Sequence, residues 1–360
     1  MTLREIVRER ARLLGLEHVG FARADAPLEA DHARYQRFVD RGMHGVMDWL
    51  ARDADARRTL DGPAILPGAR SVISVARPYA RSPSAEARDP DVARLIARYA
   101  RGQDYHNHFR KKLRLLAKFV RTLGEGVEAR PLCDVEPLLE RAWAARAGLG
   151  FVGKNGLVIV PGRGSFVLLG EVVTTLDLGA DAPMAERYGS CTRCLDACPT
   201  SAFDAPFVLD PRRCVAYLTI EAAPETPADR GDLGEHLFGC DECQVVCPFN
   251  RTEAPSPDAT RPFAPHARWA ELDLGDLACL TDAEFERISE GSPIGRATRR
   301  GLARSAIRVA RTRLSTGEDP ARRDAARAAL VKACAAADRE IAEFAQAALD
   351  TDGPSRARLG

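Results

Sequence analysis

Cysteine is the residue type in this chain whose spacing carries chemistry. Two runs, Cys191, Cys194 and Cys198 before Pro199, and Cys240, Cys243 and Cys247 before Pro248, each read C-x-x-C-x-x-x-C-P. With Cys214 standing between them, seven of the ten cysteines fall between residues 188 and 250. A C-x-x-C turn aims two thiolates at one cluster, and the Cys before Pro ligates the other cluster in two-cluster ferredoxins. The doubled spacing therefore predicts cross-ligation. Cys240, Cys243, Cys214 and the crossing Cys198 form one four-iron, four-sulfur set, and Cys191, Cys194 and the crossing Cys247 form a second.

The second set is one thiolate short. In the ferredoxin pattern the missing ligand falls at position 188, where this chain has Tyr188. A non-cysteine ligand, a three-iron form and a labile cluster all stay open on sequence grounds. Zinc fits less well, because paired C-x-x-C hooks need no third Cys before Pro. A disulfide framework belongs to small secreted chains, whereas this one has 360 residues and a charged beginning, MTLREIVRER.

Composition sets the frame around these ligands. With 45% hydrophobic and 29% charged residues, the chain has the make-up of a globular protein with room for two or three domains. No window approaches the roughly 18 apolar residues of a membrane span, so no membrane association and a cytoplasmic location are expected. Reducing conditions there suit thiolate ligands. The net charge of +1 disfavours a generic polyanion binder, yet residues 291–330 hold ten Arg against Glu318, Asp319 and Asp324. Such a local excess would attract a phosphate backbone, or it is the solvated face of a helical cap.

The elements that must position the cysteines are readable in part. Thr2 with Glu5 predicts a capped amphipathic helix ending at Gly15. A strand is expected near Val19 to Ala22, a helix through Tyr35 to Val39, and a buried strand in RSVISVARPY, residues 70–79. A long helical stretch follows from about Asp91 to Leu123, interrupted near Gly102. Then come a strand from Val127 to Cys133 and a helix from Pro137 to Ala147. This alternation predicts an α/β domain. The glycines of GLGFVGKNGLVIV mark turns, since their spacing is neither a P-loop nor a dinucleotide fingerprint. A Pro-rich stretch from 254 to 265 predicts a domain boundary. Beyond it, segments near 297–312 and 321–349 read as paired helices.

Ten separated motifs then point one way: GMHGVMDWL, RSVISVARPY, RYARGQDYH, CDVEPLLER, RAGLGFVGKNG, GSFVLLGE, CTRCLDACPTSAF, RRCVAYLTIE, GCDECQVVCPFN and SPIGRATRRGLAR. Across essentially its whole length the chain resembles the epoxyqueuosine reductases. The resemblance implies a mixed α/β (α+β) fold. A nitroreductase-like cobalamin domain would span 1–180, a ferredoxin-like two-cluster domain 181–255, and a C-terminal helical, HEAT-like region 256–360. It also implies a reaction, in which epoxyqueuosine at the tRNA wobble position loses its epoxide oxygen as water, taking up two electrons and two protons. Protein side chains supply no low-potential electrons, so cobalamin and the two clusters would carry them, fed by an external low-potential donor.

Carried over by motif, Asp134 would be the catalytic acid, with Glu136 able to contribute. Arg57, Asp134, Lys154, Asn155, Ser165, Cys240 and Asp241 would contact cobalamin, and Arg296, Arg299, Arg300 and Arg304 would meet tRNA. His106 and His108 are not expected to ligate cobalt. On its own, Asp134 would read as a helix cap. A monomer is expected. Two other classes account for some features: a corrinoid reductive dehalogenase, disfavoured by the want of a twin-arginine signal, and a non-enzymatic iron-sulfur carrier, which leaves CDVEPLLER and GFVGKNG without purpose.

Cross-ligation makes one expectation. Cys214→Ser and Cys240→Ser should each remove the paramagnetic signal of one cluster and leave the other at least partly populated. Iron counting with both signals intact in both variants would end the assignment.

Overall fold

The computed structural model describes residues 1–134, 136–222, 233–251 and 260–350. Helix α1, Leu3–Leu13, begins in the expected capping box, with Thr2 and Glu5 each satisfying the other's backbone N–H. Strand β1, His18–Arg23, leads to helix α2, Glu29–Asp40. Strand β2, Ser71–Pro78, is buried from Ser71 through Arg77. Val72, Ile73, Val75 and Ala76 supply the apolar side chains that a strand covered on both faces requires, with Ser74 between them.

The region from 91 to 121 is not one long helix. A single turn, Asp91–Arg94, gives way to irregular chain before helix α3, Tyr105–Arg121. The break has a steric and a capping cause. A Cβ on Gly102 would sit 2.3 Å from the Pro262 carbonyl oxygen, so the backbone must pass close to residues 262–264 there. Asp104 then caps the new helix by accepting from the His106 N–H.

Strand β3, Ala129–Leu132, helix α4, Glu140–Arg146, the short hairpin of β4, Phe151–Val152, with β5, Val158–Ile159, and strand β6, Val167–Thr174, complete this part. The helix expected from Pro137 starts three residues later. The principal sheet has the order β1-β2-β6-β3, and every neighbouring pair in it is antiparallel. One face packs on α1 and α3 through Val7, Phe21, Ile73, Phe109, Leu113 and Val172. The other is covered through Ala22, Leu28, Val72, Leu132, Trp143 and Val173. The fold is therefore mixed α/β with an antiparallel sheet between two apolar layers.

In the cysteine region, one-turn helices Arg193–Asp196 and Glu242–Val245 follow the two C-x-x-C starts in equivalent places. The same turn recurs in both: Leu195 N–H donates to Thr192 O and Gln244 N–H to Asp241 O, each at 2.8 Å. Beyond residue 260, three helices, α5 at Arg299–Thr316, α6 at Pro320–Cys334 and α7 at Arg339–Asp350, stack over an apolar core. That core extends to Val92, Ile96, Leu237 and Phe238. The boundary expected at 255/256, and residues 254–259 of the Pro-rich stretch, lie outside the described residues.

Close packing of β1 on the end of α4 gives a stability test. A Cβ on Gly20 would lie 2.1 Å from the Ala147 carbonyl oxygen. Gly20→Ala should therefore destabilise the fold by roughly 1–3 kcal/mol, the usual range for overpacking a filled interior. Denaturant titration measures it, and an unchanged midpoint would mean that the strand can move aside.

Candidate active site and cluster sites

Strand β3 ends in Cys133, and the next residue, Asp134, turns out of the sheet with φ of 62°. That left-handed conformation is uncommon for a side chain other than Gly, although Asp and Asn tolerate it best. It presents the Asp134 carboxylate, 55% exposed, towards the start of α3. There the Tyr105 hydroxyl donates to Asp134 Oδ2, and His106 Nε2 lies 3.6 Å from the same oxygen. The other ring nitrogen, His106 Nδ1, is 2.8 Å from Asp104 Oδ1. Held by Asp104 first and Asp134 second, His106 has its pKa raised from 6.5 to about 9. It carries a proton at neutral pH.

Behind Asp134 lies a group of carboxyls. Glu140 Oε1 accepts from the Asp134 N–H at 2.8 Å, fixing the backbone of the turn. Burial, and next the charge of Asp134, push Glu140 from 4.5 up to about 8. Glu136 accepts from Cys133 N–H at 3.3 Å. Glu171 on β6, opposite Ser74 and Leu132, is fully buried, and neither carboxyl oxygen has a hydrogen-bond partner. Burial drives its pKa well up, so it stays neutral.

Among the described residues no three metal-binding side chains converge on a single-ion site, but the thiols influence one another electrostatically in two groups. Cys214 feels the charge of Cys198, Cys240 that of Cys214, and Cys243 that of Cys240 and Cys214. Separately, Cys194 feels Cys247 and Cys191, and Cys247 feels Cys191. In each of these thiols burial is the larger cause of a raised pKa, so metal must displace the proton.

The first set adjoins the acid site. Half-buried Tyr99 has its hydroxyl pKa raised by desolvation and then by Asp134, Asp241 and Glu221, with Arg296 opposing. One phenol thus senses the acid turn, the Cys240 loop and the start of the C-terminal region. Asp241 Oδ2 accepts from the Arg98 N–H at 2.8 Å, and burial raises its pKa. Asn155 donates to Cys243 O at 3.4 Å. Ser165 donates to Gln244 Oε1 at 3.1 Å and accepts from Asn250 Nδ2 at 3.0 Å.

Other expected residues are engaged differently. Arg57 is buried against the Tyr35 ring, with Nη2 donating to Trp49 O at 3.1 Å, and its Nε lacks a partner. Lys154 Nζ donates to Gly189 O at 2.8 Å beside the second thiol set. Arg296 pairs with Glu221 at 2.8 Å and lies 4.5 Å from the Trp49 ring centroid. Arg299 bridges Asp282 and Asp338, Arg300 bridges Asp338 and Glu340, and Arg304 covers the Phe344 ring. His108 stands apart from the acid group. Its pKa falls to about 4 by burial and then Arg77, and it packs edge-on against Phe263.

Sequence reasoning missed Tyr105, His106, Glu140 and Glu171 as parts of the acid site. Asp104 next to Tyr105 and His106 was the available signal for a capped helix start. Nothing along the chain marks Glu171, which stands in an otherwise apolar strand.

Two C-x-x-C-x-x-x-C-P runs beside a group of acid side chains point to the class of iron-sulfur redox enzymes. Residues 188–250 match the 4Fe-4S double cluster binding domain, and residues 60–135 match the family described as "Epoxyqueuosine reductase QueG, DUF1730". The epoxyqueuosine reductase of Gloeobacter violaceus is 46% identical over 308 residues, covering 83% of this chain and 93% of that protein. A crystal structure of selenomethionine-labelled epoxyqueuosine reductase superposes with TM-score 0.78 at 27% identity, covering 97% of this chain and 98% of that one. Another, solved with an epoxyqueuosine-modified tRNA-Tyr stem loop, gives TM-score 0.76 at 27% identity over 97% and 98% of the two chains. The chain belongs to the epoxyqueuosine reductase family.

The acid group makes stability depend on pH in a definite direction. Glu140 and Glu171 bind protons more tightly folded than unfolded, so their contribution is full below about 4.5 and declines as pH rises towards 8. His106 adds a decline of the same sign through about 9. Glu140→Gln keeps the acceptor for Asp134 N–H and cannot ionise, so it should flatten the fall between pH 5 and 8. Thermal denaturation across that range measures it, and parallel curves would place Glu140 in water.

Proposed function

We propose that this chain reduces epoxyqueuosine in tRNA to queuosine, with Asp134 as the acid that protonates the departing epoxide oxygen. The observation that carries the assignment of the acid is the Asp134, Tyr105, His106 and Asp104 group standing beside the Cys240 loop. The architecture supports the domain reading: a nitroreductase-like cobalamin domain over 1–180, a ferredoxin-like domain over 181–255, and a HEAT-like region over 256–360.

Cobalamin fits the chemistry of the residues between the acid turn and the first thiol set. Arg57 Nε is a buried donor without an acceptor, and Asn155, Ser165, Gln244 and Asn250 form an uncharged polar edge suited to amide substituents. Arg57, Lys154, Asn155, Ser165, Cys240 and Asp241 would hold the cofactor with Asp134 facing it. Bound there, cobalamin supplies a low-potential metal centre that side chains cannot replace.

The chain's own residues handle protons. Asp134 delivers one to the oxygen as the carbon-oxygen bond breaks. Protonated His106 lies on the same carboxylate and can restore it, while Asp104 holds the other imidazole nitrogen. Glu140, bonded to the Asp134 N–H, keeps the turn pointed at substrate. Cys198, Cys214, Cys240 and Cys243 would hold one cluster and Cys191, Cys194 and Cys247 the other, and the pair would supply low-potential electrons drawn from an external donor.

For tRNA, Arg296 beside half-exposed Trp49 offers a cation next to an aromatic surface, the pairing that single-stranded nucleotides use. Arg299, Arg300 and Arg304 would complete the basic face once their carboxylate and aromatic partners are exchanged or shared. Among the described residues no helix is long and apolar enough to cross a membrane. A tRNA substrate places the monomeric enzyme in the cytoplasm.

Asp134→Asn keeps size and hydrogen bonding without an acidic proton. After anaerobic loading with iron, sulfide and cobalamin, the variant should retain its cofactors and lose about 10² to 10⁴ in single-turnover rate on epoxyqueuosine-containing tRNA. A near-normal rate would move the acid to another residue, and no turnover by the unsubstituted protein would end the functional reading.

A further inference from the structure

The second thiol set does not match an all-cysteine four-iron cluster, and the hydroxyl of the residue at the missing corner is bonded elsewhere. Tyr188 packs in one apolar group with Phe151, Ile159 and Cys247. Its ring meets Phe207 at 5.4 Å and Phe151 at 6.3 Å between centroids, with Lys154 Nζ 5.3 Å from its face. Its hydroxyl donates to the carboxylate of exposed Glu186. The Lys154 head group also clamps the loop through Gly189 O, and the Tyr188 carbonyl accepts from Cys191 N–H at 3.1 Å. Ring and hydroxyl are thus both committed. Gly189, Ser190, Thr192 and Arg193 around the site are exposed.

The first set differs in the one respect that matters. There Cys214, delivered from outside the two runs, packs in one apolar group with Cys240 and makes a fourth cysteine available. We propose that the Cys191, Cys194 and Cys247 site binds its cluster through three protein thiolates only, so that one iron takes a water-derived or small-molecule ligand and is exchangeable. This rests on the reading that residues 188–250 hold two clusters.

An exchangeable corner makes this cluster the oxidation-sensitive link in electron supply. A one-electron oxidant such as dioxygen or ferricyanide would take one electron from the dicationic four-iron core. The core would release one ferrous ion and remain as a monocationic core of three irons and four sulfides. Ferrous ion with a one-electron reductant reverses the step. The four-thiolate cluster in the same molecule has no such corner.

The test uses full-length protein reconstituted anaerobically and treated briefly with ferricyanide. The expected result is a fall from about eight to about seven irons per chain with the signal of an oxidised three-iron centre. Tyr188→Cys should stay near eight and show no such signal, whereas Tyr188→Phe and Glu186→Gln should behave as the unsubstituted chain. Re-addition of labelled ferrous iron under reduction should place about one labelled atom per chain, a readout that needs no variant. Full iron retention through oxidation would overturn the proposal, as would iron missing before oxidation from Tyr188→Phe or Glu186→Gln but not from the unsubstituted chain, which would mark that oxygen as the fourth ligand. About four irons before oxidation, with a single cluster signal, would instead defeat the two-cluster reading on which it rests.

Discussion

A short backbone pairing holds the three parts of this molecule in register. Ala97 N–H donates to Phe238 O and Leu237 N–H donates to Leu95 O, each at 2.8 Å, and one residue on Arg98 N–H meets Asp241. The segment that interrupts the expected long helix therefore forms a seam with the Cys240 loop. On its other side Arg101 O accepts from Trp269 Nε1 at 2.8 Å, which ties the C-terminal region to the same few residues. Buried hydrogen bonds of this kind are costly to leave unmade, so the seam fixes positions more firmly than its length suggests. Were it to slip, the thiol loop and the acid turn would lose their common neighbour, Tyr99.

Electrostatics at the acid site follows from where carboxyls can be ionised. Glu171, enclosed by strands, is held neutral, and Glu140, partly enclosed, is pushed up to about 8. Asp134 is exposed and borders a protonated imidazole, so a positive charge stands at the mouth of the site while Glu140 and Glu171 beneath it hold their protons. A neutral floor matters because a second anion behind Asp134 would oppose any substrate anion formed as the epoxide opens. The left-handed backbone of Asp134 belongs to the same design: it turns the carboxylate away from the sheet and leaves the N–H to Glu140.

What was legible in the sequence depended on whether the signal was local. The double-cluster character of the cysteine region could be read because C-x-x-C-x-x-x-C-P is a local pattern, and both copies fold into the same turn. The capping box at Thr2 and the apolar run of β2 were legible for the same reason. Glu171 was not, since its significance lies in what covers β6 from both faces, which no neighbouring residue records. Nor was the break before α3 fully legible: Gly102 marked it, but its cause is the approach of residues 262–264, far along the chain. The partnership of His106 with Asp134 joins residues 28 positions apart and has no local trace.

The Arg-rich segment shows why charge counted along a chain is a poor guide to charge available on a surface. Arg299 lies between Asp282 and Asp338, and Arg313 between Asp91 and Glu235. Asp91 and Glu235 come from elements far along the chain and Asp282 and Asp338 from just outside the basic segment, so part of the ten-to-three excess in sequence is balanced in space. Arg299 and Arg313 are also mostly enclosed, where exchanging a carboxylate for a phosphate would mean breaking a partly desolvated pair. Arg296 is different in kind. Its Glu221 partner and the Trp49 ring leave it half-exposed, on the same side of the molecule as the phenol that senses Asp134. Nucleic-acid contact by this family member is therefore expected to concentrate where the C-terminal region meets the GMHGVMDWL loop, close to the acid site, and to thin out along α5 as its arginines turn inward to hold the helices together.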